Sequence, residues 1–236
     1  MKEEYLRTAA LIGEENLNKL KNSTVAVFGL GGVGSYAAEA LVRSGIGTVY
    51  IYDSDKVAKS NINRQLIALS STVGMDKTKA EALRLKDINP DCNIIEKWEF
   101  VTPESSIPFE SFDFIIDAVD NVTAKLFLAV EAEKRGVPII SVMGTGNKLD
   151  PARLKITDIY KTSVCPLARV MRYELKKRGV KKLTVVWSDE TPIKPADCGE
   201  YRDTGRIPPA SMATVPGCAG LYAASYVIRK LTVGIK

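Results

Sequence analysis

The chain has 236 residues, of which 45% are hydrophobic and 26% charged, with a formal net charge of +5. That composition suits one large α/β domain, or one domain with an extension, and the mild basic excess permits a polyanionic partner without demanding one. No apolar run approaches the ~20 residues of a membrane span, and the N-terminus carries no signal-peptide pattern, so a cytoplasmic location without a membrane partner is expected.

There are no histidines, so acid–base work falls to carboxylates, lysines, cysteines, tyrosines or substrate groups. Cys92, Cys165, Cys198 and Cys218 stand singly. Without a C-x-x-C pair, a structural zinc of the usual spacing is not expected.

Residues 1–22 read as an amphipathic helix, with Leu6, Ala10, Leu11, Leu17 and Leu20 as packing positions. Arg7 stands among small and apolar residues and reads equally well as an ordinary surface arginine. Residues 24–53 follow as a strand–helix–strand unit. An apolar β-branched run turns through Gly29, Gly31, Gly32 and Gly34 into a small-residue helix, and a second strand ends at Asp53. Glycines in that frame allow a tight turn (Gly29), backbone approach to a phosphate (Gly31, Gly32) and close helix–strand contact (Gly34). The helix N-terminus offers free N–H groups to an anion, and a carboxylate at Asp53 suits a ribose hydroxyl. The bland alternative is a tight turn with no ligand.

Asp55 and the cluster Ser60, Asn61, Asn63, Arg64 and Gln65 come next. Amide side chains can bond base, ribose or phosphate, and Arg64 is a fixed cation suited to a triphosphate. The same loop also reads as a solvated turn and helix cap. A helix over 76–88 opens with Lys77 and Lys79 in its first turn. The macrodipole disfavours cations there, and a bound anion would compensate; two exposed lysines is the plainer reading. Residues 93–101 read as a strand. A buried strand follows, ending at Asp117 and Asp120, on the same rim as Gly29 and Asp53. The two carboxylates make a plausible magnesium site near phosphates; a helix cap before 122–135 is the alternative.

After the strand at 137–143 the regular alternation ends at residues 144–148. Residues 153–159 alternate like an exposed antiparallel strand. A helix over 167–178 follows Pro166. It carries Arg169, Arg172, Lys176 and Lys177 toward one side, and Leu167, Val170, Met171 and Leu175 toward the other. Cys165 sits at its predicted N-terminus beside Lys161, a setting that lowers a thiol pKa, although a small buried residue explains it as well. Residues 182–188 form a last strand, 189–214 a long loop of the kind that is usually functional or mobile, and a closing helix begins at Pro216. The elements together predict a Rossmann-like, doubly wound α/β fold, mainly parallel, with antiparallel strands added in the C-terminal part.

The order G-L-G-G-V-G, D-S-D, S-N-I-N-R-Q, G-x-x-K and D-A-V-D-N resembles the ubiquitin-activating-type adenylyltransferases. Residues 146–151 and 157–168, and the basic helix after them, are similar to the tRNA threonylcarbamoyladenosine dehydratase branch. That resemblance implies an ATP- and Mg²⁺-dependent, ligase-type cyclase that activates a carboxylate on a modified adenosine beside the tRNA anticodon and closes it into a ring. It implies an ATP-binding adenylation core with a helical arm over 1–150, and a C-terminal extension of the same domain over 151–236. Carried over by matching motif, Gly29, Gly31, Gly32 and Gly34 cradle the nucleotide, Asp53 binds ribose, and Asp55 lies beside it. Asn61, Asn63, Arg64 and Gln65 hold the phosphates and the reacting carboxylate, Lys77 contacts the phosphates, and Asp120 holds magnesium. Arg7 would reach the ATP site of a second subunit, which implies a homodimer. A cysteine desulfurase or sulfur-relay partner is a further implied possibility. The alternative within the superfamily is adenylation of the C-terminus of a ubiquitin-like sulfur carrier.

Overall fold

The computed structural model describes residues 2–197, 199 and 209–232. Seven strands form one sheet in the order β3-β2-β1-β4-β5-β7-β6. They are β1 (Thr24–Phe28), β2 (Thr48–Asp53), β3 (Asn93–Trp98), β4 (Phe114–Asp117), β5 (Ile139–Val142), β6 (Leu154–Asp158) and β7 (Thr184–Ser188). All neighbours pair in parallel except β6 with β7, where Leu154 faces Ser188 and Asp158 faces Thr184. The expected doubly wound sheet with an antiparallel C-terminal addition is therefore present.

The alternation of β1 decides which layer lies where. Val25 and Val27 enter one hydrophobic core with α3 (Gly34–Arg43), α4 (Lys77–Ile88) and α7 (Thr214–Leu231). Ala26 and Phe28 enter the other, with Leu128 and Ala132 of α5 (Val122–Arg135). Phe28 stacks on Tyr52 there, with ring centroids 4.3 Å apart. α6 (Pro166–Lys177) joins α5 on this second face through Ala168, Met171 and Leu175. Right-handed crossovers leaving β1 in one direction and β4 in the other put helices on both faces. The strand order reverses between β1 and β4, so a crevice opens at their carboxyl ends.

The N-terminal segment differs from expectation. It is two helices, α1 (Leu6–Ile12) and α2 (Glu14–Lys21), broken at Gly13, whose φ is +84°. Leu17 and Leu20 are buried as expected, but Leu11 is 84% exposed and Leu6 and Ala10 also face outward; Tyr5 and Ala9 take the packing positions. Gly13 changes the direction of the chain, so one helical period cannot run through both segments. Tyr5 and Leu17 pack against Gly45, just beyond the C-terminal end of α3 and far from the glycine loop.

The strand expected over 93–101 stops at Trp98. Parts of the long loop 189–214, including Cys198, lie outside the described residues. No helix of the described residues is long and apolar enough to cross a membrane.

Candidate active site

Gly29 ends β1 with φ +86°, and a Cβ there would lie 2.8 Å from the Ala118 carbonyl oxygen, so the loops after β1 and β4 are in contact. A Cβ on Gly34 would sit 1.7 Å from the Gly29 carbonyl oxygen. Only glycine lets α3 start this close to the strand, as the spacing predicted. The two middle glycines differ. Among the described residues, a Cβ on Gly31 would meet nothing nearer than the Gln65 amide nitrogen at 3.9 Å, so it borders open space there. A Cβ on Gly32 would press on Arg64 and Pro216 at 3.2–3.3 Å. Gly32 therefore seats the Arg64 segment and the start of α7, which the motif alone did not reveal.

Asp53 ties this loop to the next. Its carboxylate accepts from the backbone N–H of Leu30 at 2.7 Å and of Asp55 at 2.9 Å. Burial raises its carboxyl above the ordinary carboxylate value, against the pull of Lys77 and of those two N–H donors. Lys77 is 5% exposed; its Nζ lies 2.7 Å from Asp55 and 3.7 Å from Asp53. The reading of Lys77 as an exposed lysine is thus wrong, while Lys79 does face solvent. The two carboxylates, not an anion alone, offset the unfavourable dipole at this helix start. The intervening loop closes on itself to bring Lys77 there. Val57 and Met75 pair through Val57 N–H, Gly74 N–H donates to the Val57 carbonyl, and Lys77 N–H donates to Asp55.

The amide cluster is ordered by its own bonds. Asn61 Oδ1 accepts from the Ala58 N–H, the capping role weighed for it. Asn63 donates to the Ser211 carbonyl at 2.8 Å and accepts from Arg64, whose guanidinium also reaches the Ser60 carbonyl. Gln65 is 7% exposed, and its Oε1 is buried with no hydrogen-bond partner among the described residues. An orphan acceptor beside the open Gly31 is the feature a ligand donor would satisfy.

The acidic pair separates. Asp117 is fully buried and bound to Lys125 at 2.9 Å and to Ser141. It is a structural ion pair and not a metal ligand, which corrects the paired-carboxylate reading. Its other oxygen accepts from the Val119 N–H and fixes the turn. Asp120 is exposed at the rim, and Asn121 supplies the α5 cap by accepting from the Ala124 N–H. Among the described residues no group of three metal-binding side chains exists.

Arg7 is not brought to this site. It is exposed on α1, and its side chain makes no hydrogen bond or ion pair among the described residues. Cys165 is 2% exposed, beneath the rim beside Gly144.

The sequence reading missed three features. Lys125 sits under the rim, invisible because its partners lie 8 and 16 residues away. Lys148 is 4% exposed, donates to the Ser188 carbonyl, and has its pKa pushed down by burial. Asn147, at φ +60°, exchanges two 2.7 Å bonds with Ala210 and accepts from the Ile193 N–H. It fastens both ends of the long loop around a cavity of about 300 Å³. An Asn after two glycines was the available signal.

The ThiF family pattern matches residues 5–234. The chain belongs to the ThiF family. Among its ThiF relatives, tRNA threonylcarbamoyladenosine dehydratase of Bacillus subtilis is 44% identical over 100% of this chain and 97% of its own length. The Escherichia coli protein of the same name is 38% identical over 81% of this chain and 75% of its own. The solved structure of Escherichia coli tRNA N6-threonylcarbamoyladenosine dehydratase in complex with ATP superposes with a TM-score of 0.88 at 33% identity, covering 97% of this chain and 93% of that one. The same enzyme in complex with AMP gives a TM-score of 0.87, also at 33% identity, over 95% of this chain and 92% of that one.

Proposed function

We propose that this protein is an ATP-dependent tRNA threonylcarbamoyladenosine dehydratase that works through an acyl-adenylate. One observation carries the reading: the 44% identity to the Bacillus subtilis enzyme spans the whole chain, glycine rim included. Relatives named adenylyltransferase and sulfurtransferase match only 58–69% of the chain, which places the sulfur-carrier alternative second.

A carboxylate cannot be attacked usefully while oxide is its leaving group. The substrate carboxylate attacks the α-phosphorus of ATP, pyrophosphate leaves, and an acyl-adenylate forms. A nucleophilic atom of the same carbamoyl group then attacks the acyl carbon, AMP leaves, and the ring closes with loss of a proton. The sum removes the elements of water from the substrate while ATP becomes AMP and pyrophosphate. The attacking carboxylate is already an anion, which agrees with a chain that has no histidine. The chemistry needs neutralised charge and in-line placement.

Arg64 and Lys77 are the cations for that work, with Gly29, Gly31 and Gly32 at the phosphates, Asp53 and Asp55 toward the ribose, and Asn61, Asn63 and Gln65 around the reacting groups. The exposed carboxylate of Asp120 suits Mg²⁺, a hard cation that takes one or two carboxylates beside substrate phosphates. Mg²⁺ would add charge neutralisation on the triphosphate. Residues 1–150 serve as the adenylation core, and 151–236 extend the same domain. Arg7 acts in the neighbouring subunit of a homodimer, because α1 packs near the end of α3 that points away from its own glycine loop. The enzyme is placed in the cytoplasm, with a sulfur-relay partner not required by the chemistry.

The test is AMP and pyrophosphate release by the purified protein with tRNA that carries threonylcarbamoyladenosine. Release that depends on the modification is expected; equal release with unmodified tRNA rejects the reading. Nucleoside mass spectrometry of tRNA from cells lacking the gene should show the open form rising as the cyclised form is lost.

A further inference from the structure

α6 lies across the second face of the molecule with its ends at different heights. Its first residues reach the rim: a Cβ on Gly144, just beyond β5, would lie 3.8 Å from both Cys165 Sγ and Leu167 Cβ. Its last turn returns to the opposite edge, where the Val180 carbonyl accepts from the Tyr160 hydroxyl before β7 begins. Twelve residues at 1.5 Å per residue make that path about 18 Å long.

The inward side of the helix is Ala168, Met171 and Leu175, all buried. The outward side is Arg169, Val170, Tyr173, Lys176 and Lys177, all exposed. Two positions expected elsewhere are relocated. Val170 faces out, and Arg172 turns aside to donate to the Thr162 hydroxyl. Arg169 and Lys176 make no ion pair among the described residues. Lys177 stands over the ring of Tyr173, 4.1 Å from its centroid, and Tyr173 is 61% exposed. The nearest carboxylate, Glu174, lies to one side and is held by Lys177 and Arg178. The outward stripe therefore carries cations and an aromatic ring and no acid.

We propose that this face of α6 is the docking surface for the stem of the substrate tRNA, with the loop of the RNA at the rim end. The proposal rests on the dehydratase reading. Phosphates repeat along an RNA strand as cations repeat along this helix, and such contacts position a nucleic acid without reading its sequence. A stem lying along the outward side of α6 delivers an adenosine at its loop end to Gly29, Arg64 and Lys77. A helix with the same charge on the opposite edge would not.

The experiment compares the wild type with Arg169→Glu/Lys176→Glu in tRNA-dependent AMP release. The double variant should raise the KM for tRNA about tenfold, leave kcat within about twofold, and shrink the salt slope of kcat/KM by about two, since two phosphate contacts are removed. The Kd for ATP should not move, which also shows that the variant is folded; should the reversal fail to fold, Arg169→Gln/Lys176→Gln carries the same expectation. Lys230→Glu, exposed on α7, is the charge control. An unchanged KM and salt slope in a folded double variant overturn the surface. Should wild type release no AMP with modified tRNA, the dehydratase reading falls by itself. Direct tRNA binding then judges α6: weaker binding by the double variant upholds it, and equal binding rejects it.

Discussion

The site depends on side chains whose charges are settled before any ligand arrives. Asp53 spends its oxygens on the N–H groups of Leu30 and Asp55, and Lys77 is buried against Asp53 and Asp55. Arg64, by contrast, is held among the described residues only by carbonyl and amide oxygens, with no carboxylate paired to it there. Arg64→Ala should lower AMP release by about 100-fold or more, the scale of losing one preorganised charge at a reacting centre, with little change in thermal stability. Lys125 is the reverse case. It is fully buried between Asp117 and Ser141, so Lys125→Met leaves a carboxylate without its counter-charge. Chemical denaturation should show a loss of about 3–5 kcal/mol, the cost of breaking a buried pair.

At the scale of elements, the turn from β1 into α3 separates two kinds of glycine. Gly34→Ala drives a methyl group into the Gly29 carbonyl, 1.7 Å away, and should give no soluble folded protein. Gly31→Ala meets no atom of the described residues closer than 3.9 Å and should fold with a near-normal melting temperature. Its methyl group instead occupies the open side of the loop, so ATP affinity, measured by calorimetry, should fall at least about tenfold. Equal affinity would remove Gly31 from the nucleotide site. Asn147 is a second positioning element, since one side chain and its backbone gather both ends of a loop whose residues 193 and 210 are far apart in sequence.

At the scale of the whole molecule, one buried carboxylate, Glu81, works against stability as the pH rises. Glu81 of α4 is fully buried against α3, and neither of its oxygens has a hydrogen-bond partner among the described residues. Arg84, the nearest cation, is already engaged by Glu39. Burial, aided by Glu39, pushes the Glu81 carboxyl well above its ordinary value. A raised folded-state pKa means that the unfolded chain ionises first. Stability is therefore full below the ordinary glutamate pKa of about 4.5 and declines as pH rises toward the folded value. Glu81→Gln should be close to neutral near that pH and stabilising at pH 8 by at least about 1 kcal/mol, seen as a rise of about 2–4 °C in Tm. An equal shift at both pH values would reject the ionisation account. Assembly belongs to this scale too. If Arg7 acts across a dimer, mixing Arg7→Ala with Arg64→Ala subunits should restore activity that neither has alone, because a mixed dimer holds one intact site.

The sequence by itself determined the layered sheet, the switch-point crevice and the family, because these depend on local periods and spacings. A β-branched run, four glycines and a carboxylate at Asp53 mark a strand–turn–helix–strand unit by their spacing alone. The tertiary structure alone decided which charges are free. Lys77 read as an exposed lysine or a phosphate contact, and Asp117 as half of a magnesium-binding pair. They became, respectively, a cation clamped by two carboxylates and half of a buried ion pair, because loop 54–76 and helix α5 brought partners to them. Gly32 and Gly31 are indistinguishable in the motif, and only the positions of Arg64 and Pro216 separate them. Gly13 broke a helical pattern that remained periodic on paper, and so reversed the exposure of Leu6 and Leu11. The reason is the same each time. Backbone geometry is set by neighbours in the chain, whereas the free energy of a charge or an apolar surface is set by what lies across the fold.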